Sequence, residues 1–187
     1  MSERRDDPIS AQERAEPVIV VPYDPQWART FEQVRDRVVP AVGDVLAGVE
    51  HVGSTAVPGL AAKPIVDVDV VVRNDRDVPE AIRRLAAIGY EHLGDLGIAG
   101  REAFRAAPGL GRHHLYVLAP GPVLRAHLLL RDALRADRAL ADAYAALKIE
   151  LSERFRNDRD AYAEGKTQFI AAVLLADRPH RRRAVRG

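Results

Sequence analysis

The feature that most constrains this chain is an apolar run interrupted by two carboxylates at alternate positions, residues 65–72, which reads IVDVDVVV. Such a run predicts a β-strand. Successive side chains of a strand point to opposite faces, so Asp67 and Asp69 project together while the intervening valines face the core. Two carboxylates on one face repel each other, and a divalent cation relieves that repulsion. The hard cation Mg²⁺ is commonly held by one or two carboxylates together with substrate phosphates.

A Gly-Ser pair, Gly53 and Ser54, precedes this strand by one connection, with 12 residues between Ser54 and Asp67. A turn of this kind can present backbone N–H groups and a hydroxyl to phosphate oxygens, although Gly53 can also serve only to permit a tight turn. An Asp-x-Asp pair by itself is also compatible with a solvated strand face. Its position inside the apolar run favours a site, and the two motifs together predict metal-assisted phosphoryl or nucleotidyl transfer.

The order of Gly-Ser, spacer and Asp-x-Asp resembles the nucleotidyltransferase superfamily, and the longer string HVGSTAVPGLAAKPIVDVDV resembles the GrpB family within it. Further matches are RHHLYV at 112–117, HLLLRDALR at 127–135 and Y-x-x-x-K-x-x-F-I at 162–170, so the resemblance covers roughly residues 17–175. It implies a palm-like domain that holds two Mg²⁺ ions on its carboxylates. GrpB-like domains also occur fused to dephospho-CoA kinase, which implies an assisting role in folding or coenzyme A metabolism.

The composition is that of a soluble globular protein: 187 residues, 47% hydrophobic and 29% charged. The absence of cysteine excludes a disulfide scaffold, a thiolate metal site and a cysteine nucleophile. The start MSERRDD lacks the apolar segment of a secretory signal, and the apolar runs are too short to span a bilayer. We therefore expect a cytoplasmic protein that does not bind membranes.

Charge divides the chain into a body and two tails. We expect residues 1–16 to be a disordered tail, residues 17–176 to form a single domain, and residues 177–187 to be a basic tail. The net charge is +1, and the body between the tails is nearly neutral, which disfavours a dedicated nucleic-acid binder. The tail RPHRRRAVRG either contacts polyanions or serves as a solubilising end.

Hydrophobic periodicity predicts an α+β fold, with a mixed β-sheet flanked by helices first and a C-terminal helical lobe after it. The family resemblance implies that this sheet is nucleotidyltransferase-like. The predicted strands cover residues 18–21, 49–52, 65–72, 90–93, 103–106 and 114–118.

Capping residues and prolines give the predicted helix ends. The first helix begins at Asp24-Pro25 and ends or kinks at Pro40. A second helix covers residues 78–88, with Asp77 and Glu80 at capping-box spacing. In the lobe Asp137 or Asp158 can start new helices, the last running to about residue 175.

Basic and histidine side chains near these motifs are candidates for substrate binding. Lys63 directly precedes the carboxylate strand and could reach a phosphate as a point charge. Arg112 carries a guanidinium, which suits phosphate geometry. Either residue could instead be an ordinary surface charge. His51 lies beside the Gly-Ser turn, as a substrate contact or as a structural histidine.

The later motifs add residues from the next strand and from the lobe. The family resemblance raises Arg131 and Lys166 as a substrate-facing wall, with packing between the lobes as the alternative. His114 and Tyr116 alternate on one face of their strand and His113 points the other way, so a zinc site at the two adjacent histidines is not expected. We expect His114 to hydrogen-bond the substrate.

Two functions remain open. The first is a Mg²⁺-dependent nucleotidyltransferase that uses an NTP as donor and a small molecule as acceptor. The second is an accessory module that binds nucleotide or phosphate without turnover. Relatives in the superfamily usually supply a third carboxylate from a neighbouring strand, and the strand HHLYVLA offers none. The sequence contains no G-x-x-x-x-G-K-[ST] phosphate loop, so the kinase activity itself is not expected.

Overall fold

The computed structural model describes residues 16–176, so both predicted tails, apart from Glu16, lie outside the described residues. Over this range we number six α-helices and five β-strands. The helices are α1 Gln26–Val42, α2 Val78–Ala87, α3 Pro122–Ala136, α4 Arg138–Arg154, α5 Arg159–Glu164 and α6 Thr167–Ala176. The strands are β1 Leu46–Val52, β2 Val66–Val72, β3 Glu91–Gly94, β4 Glu102–Arg105 and β5 His113–Leu118.

The five strands form one mixed sheet in the order β1-β2-β5-β4-β3. The central pair β2–β5 is parallel, and the other neighbours are antiparallel. The predicted α+β class is confirmed, and five of the six predicted strands are present with their ends shifted by a few residues. The carboxylate strand β2 is central, with a neighbour on each side.

One face of the sheet carries the main core. Val68 and Val70 of β2 are fully buried and pack in one cluster with Val34 and Val38 of α1 and with Leu85 of α2. Each fully buried valine or leucine side chain contributes about 1.5–3 kcal/mol. These residues fix the register of β2, because a shift by one residue would turn both aspartates into this apolar layer.

The helices α3 to α6 form the predicted C-terminal lobe. A second apolar cluster joins them to the segment that follows β1 and includes Val57, Leu60, Leu134, Ala141 and Tyr144. The predicted starts at Asp137 and Asp158 are confirmed, since their carboxylates accept hydrogen bonds from the N–H groups of residues 140 and 161.

Near the N-terminus one prediction is wrong, and of the two alternatives for Pro40 the helix end is excluded. Residues 18–21 form a single antiparallel bridge between Val21 and Ala62 rather than a strand, because the Val18 N–H bonds to the carbonyl of Arg156 in the lobe. Helix α1 does not end at Pro40 but continues to Val42. Pro40 lies in the last turn, where Val38 and Val42 are fully buried and hold the backbone in place.

Two helix-end predictions are also wrong. The capping box at the start of α2 does not form, because Asp77 accepts a hydrogen bond from the Asn74 amide and Glu80 pairs with two arginines of its own helix. The last predicted helix is broken into α5 and α6 around Gly165. A Cβ on Gly165 would lie 2.5 Å from Leu151 Cδ2, so close packing against α4 fixes this turn.

Candidate functional site

The two aspartates of β2 share the sheet face opposite to the main core. Asp67 lies directly across from His114 of β5, and Asp69 lies across from Tyr116 of β5 and Glu50 of β1. The Asp67 side chain is 32% exposed, whereas Asp69 is fully buried. Both carboxylates therefore lie on the same side, as predicted, but only that of Asp67 reaches the surface.

The Gly-Ser turn packs directly against the first aspartate. Gly53 has φ 69° and ψ −168°, a backbone region that only glycine normally adopts. A Cβ at this position would lie 2.3 Å from Asp67 Oδ2, closer than any side chain can approach. The next residue, Ser54, begins a 3₁₀ turn that extends to Ala56. Gly53 therefore permits the turn and also lets the chain approach the Asp67 carboxylate.

Each aspartate is held by its own histidine. His114 Nδ1 lies 3.0 Å from Asp67 Oδ1, and His127 Nδ1 of α3 lies 2.7 Å from Asp69 Oδ2. Burial opposes ionisation of Asp67, but the hydrogen bond from His114 and the charge of Lys63 outweigh it and lower the pKa of Asp67. Burial dominates at Asp69 and raises its pKa, although the His127 hydrogen bond opposes that change.

Asp67 opens onto a cavity of about 210 Å³ that we call the lysine cavity. Its walls come from the turn after β1, the β2 and β5 strands, and the helical lobe. They are formed by Ser54, Thr55, Ala62, Lys63, Ile65, Asp67, His114, Lys148, Tyr162 and Lys166. Lys63 and Lys166 place their ammonium groups 5.6 Å and 4.5 Å from the centre of the Tyr162 ring. Lys148 donates to the Ala61 carbonyl, and its ammonium lies 4.8 Å from the centre of the Tyr144 ring.

Burial weakens the protonation of all three lysines. Burial, together with the charges of Arg159 and Lys166, lowers the pKa of Lys63 to about 8. Lys148 is 2% exposed, and burial followed by the repulsion of Lys166 lowers its pKa to about 7. Burial also lowers the pKa of Lys166, with the charge of Asp67 acting in the opposite direction. The cavity therefore brings together three amines whose charged forms are destabilised, mainly by burial.

The residues fit a hard cation only in part. Within residues 16–176, no group of three or more His, Asp and Glu side chains is arranged to hold a metal ion. The fully buried Asp69 Oδ1 has no hydrogen-bond partner, and an atom of this kind is suited to a cation ligand. Asp67 and Asp69 as metal ligands therefore stay a prediction.

Five of the ten predicted site residues come together in the lysine cavity, where Ser54, Lys63, His114 and Lys166 line it beside Asp67. Arg112 lies next to it instead. It lines an adjoining cavity of about 270 Å³ that shares Lys63, and its guanidinium pairs with Glu16 at 2.7 Å.

Two predicted substrate contacts lie elsewhere. His51 stacks on Phe31 with ring centres 4.9 Å apart, and burial lowers its pKa to about 4, so it is a neutral structural histidine. Its Nε2 reaches the Thr55 hydroxyl at 3.0 Å. Arg131 is 12% exposed and bonds to Glu50 at 2.7 Å and to the His51 carbonyl at 3.2 Å. Arg131 therefore fastens α3 to β1, which corresponds to the packing alternative.

The histidines of β5 behave as the strand alternation predicts. His113 points into the core, where its Nε2 lies 3.0 Å from the Tyr90 hydroxyl and its Nδ1 lies 2.7 Å from the Gly111 carbonyl. Tyr116 lies on the aspartate face, and the guanidinium carbon of Arg101 is 4.5 Å from the centre of its ring. Burial raises the pKa of Tyr116, so its hydroxyl stays protonated.

Sequence reasoning missed four residues of this region. Lys148, Thr55 and His127 were not singled out as site residues. Glu50 was overlooked as well, although it is a carboxylate on the aspartate face of β1, the other neighbour of β2. The position of Lys148 depends on how α4 packs, and the sequence alone does not give that. Its residue type was a usable signal, because lysine is rare in this chain.

The sequence profile described as GrpB protein matches residues 17–175. The chain belongs to the GrpB family. A UPF0157 protein of Streptomyces coelicolor is 40% identical over 153 residues, which cover 81% of this chain and 79% of that protein. The UPF0157 protein YqkA of Bacillus subtilis is 34% identical over 82% of this chain but only 45% of its own length, so the chain spans less than half of that relative.

Solved structures agree with the family assignment. The crystal structure of conserved protein GrpB from Enterococcus faecalis superposes on this chain with a TM-score of 0.74 and 34% sequence identity. The match covers 83% of this chain and 94% of the Enterococcus faecalis chain. The Cid1 poly(U) polymerase with MgGTP bound is 16% identical over 71% of this chain and 43% of its own, with a TM-score of 0.51. The second likeness shows that the GrpB fold is nucleotidyltransferase-like.

Two further findings bear on function. The dephospho-CoA kinase of Mycolicibacterium paratuberculosis contains a stretch that is 30% identical to this chain. The match covers 80% of this chain and 43% of the kinase. Among the described residues, no helix is both long and apolar enough to cross a bilayer.

Proposed function

We propose that this GrpB-family chain is a Mg²⁺-dependent nucleotidyltransferase-like protein that transfers a nucleotidyl group from an NTP to a small-molecule acceptor. The observation that carries the proposal is the contact between the Gly-Ser turn and the carboxylate strand. Gly53 leaves no room for a side chain against Asp67 Oδ2, and Ser54 and Asp67 line the same cavity. A phosphate held by the turn would therefore lie beside the Asp67 carboxylate.

Each group has a defined part in this proposal. Asp67 and Asp69 would hold Mg²⁺, which neutralises charge on the phosphoryl oxygens when bound. The hydroxyls of Ser54 and Thr55 and the ammonium groups of Lys63 and Lys166 would bind and orient the phosphates. Phosphoryl transfer depends mainly on such positioning and charge stabilisation, and little covalent chemistry is required of the protein.

The second candidate is an accessory module that binds nucleotide or phosphate without turnover, and the kinase relative links it to coenzyme A metabolism. Two contacts favour it. Tyr116 stands opposite Asp69 on β5, where a third carboxylate would be expected, and Glu50 on the other side is engaged by Arg131. We therefore expect NTP binding with slow or acceptor-restricted turnover.

Calorimetry tests the binding step, with NTP titrated into the wild type and into Asp67→Asn, each with and without Mg²⁺. Asn keeps the size of the side chain but removes the charge that the cation needs. We expect NTP affinity to depend on Mg²⁺ in the wild type and to lose that dependence in the variant. The same affinity in all four titrations would overturn the metal-dependent proposal. Labelled NTP incubated with pools of small molecules then distinguishes the transferase from the accessory module.

A further inference from the structure

The lysines of this chain are distributed in an unusual way. The sequence has 28 lysine and arginine residues, and only Lys63, Lys148 and Lys166 are lysines. They come from the segment before β2, from α4 and from the turn between α5 and α6, yet all three line the lysine cavity. Every other strongly basic side chain of the sequence is an arginine, so all the lysines of this chain lie around one cavity.

Within residues 16–176, no carboxylate lies within ion-pair distance of any of the three amines. Lys148 is almost fully buried, donates to the Ala61 carbonyl and lies over the face of Tyr144. Three neighbouring ammonium groups repel one another and lose hydration, which costs free energy that the charge of Asp67 and the tyrosine rings offset only in part. An anion in the cavity would recover it.

The chemistry of lysine fits the space. An ammonium is a compact point charge that can turn its three donors toward an oxygen, whereas a guanidinium is a broad planar fork. Tyr162 and Tyr144 present their ring faces to the amines, which supports the cations without consuming their donors. Ser54 and Thr55 add hydroxyl-bearing side chains to the same wall.

We propose that the lysine cavity is a polyphosphate site that binds two or more linked phosphoryl groups and does not itself require a metal ion. Three lysines against the single carboxylate of Asp67 leave an excess of positive charge, which favours a multiply charged anion over a single carboxylate. The volume of about 210 Å³ is below the roughly 300–1,000 Å³ of drug-sized ligand pockets. The cavity therefore takes the polyphosphate part of a ligand, and any nucleoside lies outside it.

The polyphosphate can be free pyrophosphate or the terminal phosphates of a nucleotide. The inference that a nucleotide binds here rests on the proposed function, whereas the inference that pyrophosphate binds does not. Calorimetry with pyrophosphate, tripolyphosphate, orthophosphate and sulfate in EDTA tests the anion directly. We expect pyrophosphate and tripolyphosphate to bind more tightly than the two single anions. Equal affinity for all four would overturn the proposal, and so would the absence of pyrophosphate binding.

Variants test the location. Loss of one charge-assisted contact in Lys148→Met or Lys166→Met should weaken pyrophosphate binding by roughly 10- to 100-fold. Arg138→Met is the matched control, because it removes one exposed positive charge from the same helix as Lys148 and lies outside the cavity. An equal loss in the control would show non-specific attraction and overturn the proposal. Thermal melts exclude misfolding, and Lys166→Met remains as the test if Lys148→Met does not fold.

Asp67→Asn separates this inference from the proposed function. Removing a negative charge from the cavity should leave metal-free pyrophosphate binding intact or strengthen it, whereas Mg²⁺-dependent NTP binding should be lost. Pyrophosphate binding without any effect of Mg²⁺ on NTP would contradict the transferase alone. Mg²⁺-dependent NTP binding with no lysine-dependent pyrophosphate binding would contradict the polyphosphate site alone. If Asp67→Asn loses metal-free pyrophosphate binding as well as Mg²⁺-dependent NTP binding, that result would also contradict the polyphosphate site.

Discussion

At the scale of single residues, Gly53 joins the phosphate turn to the carboxylate strand. We expect Gly53→Ala to lower the free energy of unfolding by about 1–3 kcal/mol, because its φ of 69° and ψ of −168° suit only glycine and the new Cβ would meet Asp67 Oδ2. Urea denaturation measures the change. NTP binding should fall with it, since the Asp67 carboxylate must move.

Gly48→Ala is the matched control, because Gly48 lies on β1, which ends one residue before Gly53. A Cβ at Gly48 would meet nothing within 4 Å, and its backbone is not left-handed, so we expect a change within about 0.5 kcal/mol. The double variant Gly53→Ala with Asp67→Ala isolates the contact. Part of the Gly53→Ala cost should disappear when the carboxylate is removed, and a purely additive result would show that only backbone strain matters.

Lys148 links stability to pH. Its pKa falls from the usual 10.5 to about 7 on folding. Between these values the unfolded chain binds a proton that the folded protein does not, so the wild type loses stability as pH falls from 10.5 toward 7. Lys148→Met lacks this penalty. We expect it to raise the Tm by roughly 2–4 °C at pH 7, equivalent to about 1 kcal/mol, and by less near pH 10.

Melting curves across that pH range measure the effect. The other two cavity lysines remain in both proteins, so their titration largely cancels in the comparison. A variant that is more stable at pH 7 but binds pyrophosphate less tightly would assign Lys148 to ligand binding rather than to the core. A Tm difference that grows with pH would contradict the prediction.

At the scale of elements, α3 holds the buried end of the site. Asp69 Oδ2 bonds to His127 of α3, and Asp69 Oδ1 has no partner. We expect His127→Ala to lower the free energy of unfolding by about 1–3 kcal/mol, because a fully buried carboxylate would lose its hydrogen bond. His92→Ala is the matched control, since His92 also pairs with a carboxylate, Glu102, at 2.7 Å but near the surface. Equal changes in the two variants would contradict the assigned role.

The sequence predicted the elements that depend on local pattern. The alternation in β2 gave the shared face of Asp67 and Asp69, and the side chains of Asp137 and Asp158 gave the starts of α4 and α5. The predictions failed where tertiary contacts decide the outcome. Helix α1 continues past Pro40 because buried valines hold its last turn, and α5 ends at Gly165 because of its contact with α4.

The candidate site was predictable on the strands and less so in the lobe. Ser54, Lys63, Asp67 and His114 lie within or beside the recognised motifs, so spacing and strand alternation brought them together. Lys148 enters the cavity from α4, and its place follows from the packing of the lobe against the segment after β1. Periodicity gives the face of a helix but not the neighbour that it covers.

At the scale of the whole molecule, the lysine cavity lies between two units of the fold. Ser54, Lys63 and His114 belong to the sheet unit, whereas Lys148 and Lys166 belong to the helical lobe. A ligand that contacts both units stabilises their association, because it binds the assembled cavity and not either unit alone. Ligand binding should therefore be detected in both units at once.

Hydrogen exchange tests this coupling in the wild type with and without pyrophosphate in EDTA. We expect slower exchange both in the Ser54–Ala56 turn and in the backbone around Lys148 and Lys166, because local opening of either unit would release the ligand. Lys148→Met should lose the protection in both units together, whereas Arg138→Met should keep it. Protection confined to the turn would show that the anion binds the Gly-Ser segment alone, and the lobe would then have no part in the site.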